Sequence, residues 1–319
     1  MENKRKRIIK ILKILRNFYS IKTWEKKYSP LDILIKTILS QNTSDRNSDR
    51  AFENLKEKFP DWDSVLKASD NEIEEAIKIG GLAKVKSKRI KEILNIIKLK
   101  NNGKLNLNFL SDYSVEEALN WLLSLKGVGE KTAACTLIFG FNKPVFPVDT
   151  HILRITKRLG LIDYNVSLSK AHNLLKDLIP EELYYESHLN LIEHGRKICN
   201  AKNPKCSICP INKLCNYYNK NLIMLKLKKN NCNISLTDLY IEFDNKNYFN
   251  ELINDLINDK LILKDESCKK INCTELGLIY ISNKQIDVDT IKKLLEKGYE
   301  LNLIKKLFNI SKNILKSIK

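Results

Sequence analysis

Apolar residues in the first two-thirds of the chain recur at helical spacing. Ile8, Ile11, Leu12, Leu15 and Tyr19 fall on one face of a helix, and Pro30 opens a second segment in which Leu31, Leu34, Ile35 and Ile38 do the same. Ser64, Ser69, Ser114 and Ser169 stand where helix N-caps are expected, because a short hydroxyl side chain accepts from the unpaired amides of a first turn. Residues 8–215 therefore read almost wholly as helices joined by short links. Between Asn216 and Asn233 the text turns rich in Asn, Lys and Tyr without clear period, and a linker is expected over 218–233. Beyond it Tyr248, Phe249, Leu252, Ile253, Leu256 and Ile257 predict a core helix. An apolar run at 261–263, a polar turn, a second short strand at 271–273 and a helix from near Thr274 follow.

Helix, strand, turn and strand in that order resemble a winged helix, and the last thirty residues, broken near Gly298 and Asn309, are similar to a helix-turn-helix. No fixed-period repeat is evident. The reading is a mainly α chain in three parts: a helical core over 1–217 with a cysteine loop at 199–215, the linker, and a C-terminal domain over 234–319. A chain of 319 residues is long enough for two domains with their own cores.

Charge separates these parts. The chain carries a formal +18 at a pI near 9.4, which favours a polyanionic partner. Residues 234–319 hold 14 Lys and no Arg against 13 Asp plus Glu, so only +1 of the +18 lies there, and all nine arginines stand at or before Arg196. A footprint for phosphates thus belongs to the core. The C-terminal domain lacks the commonest bidentate reader of guanine, and a protein contact or a substrate-positioning role is expected of it. Lys10, Lys13 and Arg16 interrupt the apolar stretch behind the basic opening residues, and no run approaches the roughly 20 apolar residues a membrane span needs. With neither a signal peptide nor a span in view, a cytoplasmic monomer that keeps its thiols reduced is expected.

Cys199, Cys206, Cys209 and Cys215 are spaced C-x6-C-x2-C-x5-C, with Pro204 and Pro210 stiffening the connections. Four thiolates within 17 residues suit one polynuclear iron–sulfur cluster; structural zinc, which prefers two separate short knuckles, is the alternative. Cys135, Cys232, Cys268 and Cys273 have no ligand spacing and read as buried thiols. Upstream, Gly127 and Gly129 flank Val128 ahead of a helix. The glycines permit a tight turn, Val128 plugs it, and the first amides of the helix can hold a phosphate without reading bases. Lys131 lies just inside that helix, and Asp149 follows 18 residues later.

The stretch Ser124 to Ala133, then Val148-Asp149-Thr150-His151, then His194-Gly195-Arg196 leading into the cysteines, resembles the endonuclease III family of helix-hairpin-helix DNA glycosylases. The resemblance covers about residues 25–220. It implies a two-lobed helical fold, a [4Fe-4S] cluster on the four cysteines, and double-stranded DNA carrying damaged bases or abasic sites as partner. It also makes Lys131 the nucleophile and Asp149 its partner. An amine suits the first role because attack on the sugar C1′ gives an imine that draws electrons for β-elimination. Asp149 can stabilise positive charge on the sugar or move protons.

A carboxamide after the second apolar helix fills the gap left by an extruded nucleotide in that family, and the role falls to Gln41 or Asn42. Gly80 to Arg89 resembles the family's wedge loop, with Leu82 intercalating and Lys84, Lys86 and Lys88 approaching phosphates. Gly127, Val128, Gly129 and Thr132 of the hairpin, with Lys202 and Lys205 in the cysteine loop, complete the expected DNA contacts; His151 and His194 read as structural. The activity implied is a bifunctional glycosylase and AP lyase of base excision repair acting on damaged, oxidised pyrimidines. A glycosylase for uracil or thymine opposite guanine is the alternative among enzymes. A non-catalytic DNA-binding regulator is the alternative from another class, disfavoured by the intact Lys131 and Asp149.

Overall fold

A computed structural model describes residues 2–240, 243, 246–265, 270–282, 286–308 and 310. The chain divides into two compact units, the first made of residues 1–156 and 165–205, the second of 157–164 and 206–319. Cys268 and Asn309 lie outside the described residues. Among the described residues no helix is long and apolar enough to cross a membrane.

The first unit is helical throughout. Its elements are α1 (Glu2–Tyr19), α2 (Pro30–Leu39), α3 (Asp45–Lys58), α4 (Trp62–Lys67), α5 (Asp70–Ile77), α6 (Ala83–Lys100), α7 (Val115–Ser124), α8 (Glu130–Phe141), α9 (Thr150–Arg158), α10 (Leu168–Leu178) and α11 (Tyr184–Lys197). The predicted faces of α1 and α2 are the buried ones: Ile8, Ile11, Leu15, Leu34, Ile35 and Ile38 are wholly buried. Pro30 at the first helical position and a reciprocal Ser29–Asp32 capping box fix where α2 begins. Ser69 and Ser114 cap α5 and α7 as expected. At the other two expected caps the assignment shifts: Asp61, with Ser64 as its reciprocal partner, caps α4, and Ser167 rather than Ser169 caps α10.

Helix α8 runs through the middle of this unit. Residues 132–138 are all buried, which accounts for the lack of a polar stripe: a helix apolar on every side is a core helix. It packs closely on α2, for a side chain at Gly140 would meet Pro30 atoms at 3.0 Å. A core including Leu34, Ile38, Ile73, Ile90, Leu122 and Leu137 surrounds the contact. The α7–α8 turn is therefore anchored by one of the most buried helices of the unit.

The second unit contains α12 (Asn216–Lys229), β1 (Asn233–Ser235), α13 (Leu236–Tyr240), α14 (Lys246–Asn258), β2 (Ile262–Asp265), β3 (Lys270–Cys273), α15 (Glu275–Ser282), α16 (Val288–Glu296) and α17 (Leu301–Phe308). Its three strands form an antiparallel sheet in the order β1-β3-β2, with Ile234 opposite Ile271 and Lys264 opposite Ile271 on the other side. The stretch expected as a linker is instead helix α12. Ile223, Met224 and Leu227 are buried there and join Leu252, Leu256 and Ile271 in one core. Those three residues keep helical spacing, but the exposed Leu225 and the surrounding polar residues hide it in the text. Gly298, at φ +82°, separates α16 from α17 where the break was expected.

Candidate functional site

The turn between α7 and α8 is built on glycine. Gly127 has φ +82°, a conformation other residues adopt only with strain, and the amide of Val128 closes the turn on the carbonyl of Leu125 at 3.0 Å. Val128, 5% exposed, inserts into the core as expected of a plug. Gly129 is the N-cap of α8. It offers no side-chain acceptor, and a side chain at this point would meet nothing within 4 Å. The start of α8 is thus a helix N-terminus with no side-chain cap and clear space beside its N-cap residue, the kind of end that can take a phosphate oxygen.

Lys131 lies in the first turn of α8 and is half-buried. Asp149 is half-buried too, and caps α9: its Oδ1 accepts from the amide of Ile152 at 2.8 Å while its carbonyl accepts from Leu153 at 2.9 Å. Among the described residues no carboxylate stands within ion-pair distance of Lys131, so a structural salt bridge does not explain the pair. The two residues meet electrostatically through what lies behind them. Cys135, one turn below Lys131 and buried, has its thiol pKa raised by burial, with Lys131 opposing and Asp149 reinforcing the shift. His188 on α11, 2% exposed, is held neutral by burial at a pKa of about 4, and feels Asp149, Lys131 and Arg196. Its Nδ1 donates to the carbonyl of Pro147 at 3.0 Å and its ring packs edge-on to Phe139 and Phe146, which supports the chain leading to Asp149. The sequence offered no signal for His188, because it stands outside every recognised motif.

The carboxamide segment resolves into two residues with different surroundings. The amide of Gln41 is engaged on both sides: it donates to the carbonyl of Gly127 at 3.1 Å and to Thr132 Oγ1 at 3.3 Å, and its Oε1 accepts from Arg89 at 2.8 Å. Asn42 is exposed at φ +55°. Thr132 is buried beneath Gln41 and does not face outward. Leu82 is 55% exposed and stands at φ +52°, directly after Gly81 at φ +68°. An exposed leucine in the left-handed region is a strained arrangement at the start of a helix. Lys84 and Lys88 are exposed beside it.

Lys86 corrects an expectation. It is 1% exposed and its ammonium donates to the carbonyls of Leu39 and Gly80, so it cannot approach a phosphate. Helical geometry explains the difference: from the first turn of α6, positions 84 and 88 point outward while 86 points inward. Lys202 and Lys205 are exposed. His194 is structural as expected, 1% exposed, bonded through Nδ1 to Tyr19 at 3.0 Å and kept neutral by burial at a pKa of about 4. His151 packs against Gly195, where an added side chain would meet its Cβ at 2.9 Å.

The cysteine loop begins in the first unit and continues in the second. In the first, Arg154 of α9 donates to the carbonyl of Cys199 through Nε and Nη2, at 3.0 and 2.9 Å, and to the carbonyl of Gly195 at 2.9 Å. It ties the end of α11 to the helix that Asp149 caps. Its place in the text, three residues after His151, carried no hint of that role. In the second, the amide of Cys209 bonds the carbonyl of Cys206, and Cys215 opens α12. All four cysteines are partly buried. Among the described residues no three Cys, His, Asp or Glu side chains converge as a group able to hold a metal ion.

Residues 35–181 match the HhH-GPD superfamily of base excision DNA repair proteins. An Arabidopsis thaliana protein named as a DNA glycosylase is 44% identical over 57% of this chain, a match that takes in 65% of its own length. Endonuclease III of Thermotoga maritima is 35% identical over 61% of this chain and 86% of its own. The solved structure of a trapped covalent intermediate of endonuclease III with DNA is similar at a TM-score of 0.59 and 27% identity, covering 68% of this chain and 98% of that one. With its open hairpin, the lysine in the first turn of α8 and the aspartate that caps α9, the chain belongs to the endonuclease III-like family of helix-hairpin-helix DNA glycosylases.

Proposed function

We propose that this glycosylase is bifunctional, removing damaged, oxidised pyrimidines from duplex DNA and then cleaving the strand as an AP lyase. The observation that carries the reading is the shared electrostatic environment of Lys131 and Asp149 at an open helix N-terminus, with no ion pair among the described residues to account for either. The Lys131 amine attacks C1′ of an extruded nucleotide and the base departs with the C1′–N bond electrons and a proton; the lysine nitrogen then opens the sugar ring, the C1′–O4′ bond breaking with O4′ taking a proton, to leave a protonated imine at C1′. The imine acidifies C2′, and β-elimination breaks the bond to the 3′ phosphate. Asp149 has Oδ1 committed to the α9 cap, which fixes the carboxylate and leaves Oδ2 to face positive charge developing on the sugar. The start of α8 holds a backbone phosphate. Asn42, whose amide is not committed to the hairpin, fills the gap, and Leu82 wedges beside it. Lys84, Lys88, Lys202 and Lys205 are exposed to neutralise phosphates.

Four thiols within one 17-residue loop, the first with its carbonyl held by an arginine, are the donor type and number of an iron–sulfur cluster, although their side chains do not converge among the described residues. Cys199, Cys206, Cys209 and Cys215 would hold a [4Fe-4S] cluster whose part is to brace the loop that carries Lys202 and Lys205. No chemical step runs through it.

The second unit supports the winged-helix reading. Helix, strand, two helices and two strands follow in order over α12 to β3, with the first strand paired to the last. The exposed side of α14 presents Asn247, Asn250, Glu251 and Asn254, which suits a protein contact better than a phosphate backbone.

Borohydride reduction on a panel of duplexes, carrying oxidised pyrimidines, uracil or thymine opposite guanine, or an abasic site, tests the proposal. A covalent adduct with oxidised-pyrimidine duplexes is expected. An adduct confined to mismatches would move the substrate, and excision without an adduct on any duplex would remove the lyase.

A further inference from the structure

Two cations near the start of α6 differ from the exposed lysines beside them. Lys86 is buried, and its ammonium donates to Leu39 O at 2.7 Å and Gly80 O at 2.9 Å. Leu39 is the last residue of α2 and Gly80 the last of the single 3-10 turn Lys78–Gly80. One charge thus closes two helix ends, where unpaired carbonyls gather partial negative charge. Three residues on, Arg89 lies flat against the hairpin: a side chain at Gly127 would stand 2.0 Å from its Nε and 2.3 Å from its Cζ. The same guanidinium donates Nη1 to Gln41 Oε1 at 2.8 Å, and Gln41 passes the connection to Gly127 O and Thr132 Oγ1. Gly127 is therefore demanded twice, by its backbone angle and by the arginine that occupies the space a side chain would need.

Three segments remote in sequence, 39–42, 80–82 and 127–132, are pinned by these two side chains. We infer that Lys86 and Arg89 are positioning residues that set the wedge at Leu82, the gap-filling segment at Asn42 and the phosphate-holding hairpin in one fixed relation, so that insertion into the helix and grip on the backbone occur together. The inference rests on the glycosylase reading above, since a wedge and a gap filler have meaning only around an extruded nucleotide. An apolar side chain of similar length would fill the space of Lys86 without the cost of burying a charge, but would leave two carbonyls unsatisfied and free to drift. Burial first, and then the nearby Arg89, lower the Lys86 pKa, while its two carbonyl bonds oppose that shift. Lysine and arginine also divide the work by shape: a compact ammonium meets two converging carbonyls, and a planar fork spans hairpin and carboxamide.

The test uses the full chain, a lesion duplex with 2-aminopurine beside the lesion to report extrusion, single-turnover base excision, and borohydride trapping on a preformed abasic site. Arg89→Ala is expected to fold, because Arg89 is only half-buried. It should slow excision about tenfold or more, with extrusion falling in parallel, while trapping at the abasic site and binding to undamaged duplex change little. Arg89→Lys should recover part of the loss, since it keeps one donor for Gln41. Lys86→Met should lower both the melting temperature and the extrusion signal. Wild-type extrusion and excision in Arg89→Ala, or an equal loss of trapping, binding and excision, would overturn the assignment. So would a Lys86→Met protein with unchanged melting and extrusion. A wild-type chain that neither excises nor traps on any duplex would instead bring down the glycosylase reading beneath it.

Discussion

Helix α8 in the first unit and helix α14 in the second each lie against a well-formed core, yet they are equipped for different partners. The start of α8 has glycine before it, no side-chain cap and clear space around it, with the exposed Lys84 and Lys88 elsewhere on the same unit. After Lys246 at its start, the outward side of α14 is asparagine and one acid, in a domain whose formal charge nearly cancels. On the proposed reading, what suits a helix to a phosphate backbone is not its fold setting but which residues are omitted from its first turn and how much positive charge its unit carries.

The largest effect that would sharpen this contrast is at Lys131. Lys131→Ala should abolish borohydride trapping while leaving affinity for duplex DNA intact, because the phosphate-facing amides of α8 do not depend on that side chain; undiminished trapping would remove Lys131 from the chemistry. Asp149→Asn comes next. Asparagine caps a helix as well as aspartate does, so melting should hardly move, while single-turnover excision should slow roughly a hundredfold or more through loss of the charge facing the sugar. A matching loss of stability and rate would show that the cap is all Asp149 provides.

Smaller, and aimed at the comparison itself, is the salt dependence. Lys84→Gln with Lys88→Gln should flatten the slope of log affinity against log salt by about two phosphate equivalents, whereas Lys246→Gln at the start of α14 should leave it unchanged. Equal changes from both would make the second unit a second clamp. The smallest effect concerns acid. His188 and His194 are depressed to about 4 from the ordinary value of 6.5, so the unfolded chain binds more protons between those limits. Their contribution to stability is complete above about pH 6.5 and is lost as pH falls toward 4. Melting followed across that range should show the decline, and His188→Gln should reduce it.

Much of this was legible in the text. The spacing of Ile8 to Tyr19 and of Leu31 to Ile38 gave helices whose buried faces are the ones observed, and the glycines around Val128 gave the turn. Helix α14, strands β2 and β3 and the start of α15 also came through, because apolar runs of that length between polar turns have few alternatives, whereas β1 and α13 went unforeseen. Three things did not. A run of lysines at 84, 86 and 88 reads as one basic face, and only the rotation of the helix separates the buried one from the others. Helix α12 was masked by polar residues around its three core positions. Arg89, Arg154 and His188 act through partners 38 to 48 residues away, a relation that a single sequence does not display.

Leu82 has a consequence for how variants of this protein would be selected. A leucine held at φ +52° costs roughly 1–2 kcal/mol that glycine would not. Leu82→Gly should therefore yield a chain that melts higher or no lower, expresses well, and extrudes nucleotides poorly. A search guided by thermal stability alone would drift toward such chains, raising robustness while eroding repair, and the drift would start at the most exposed apolar side chain of the wedge loop.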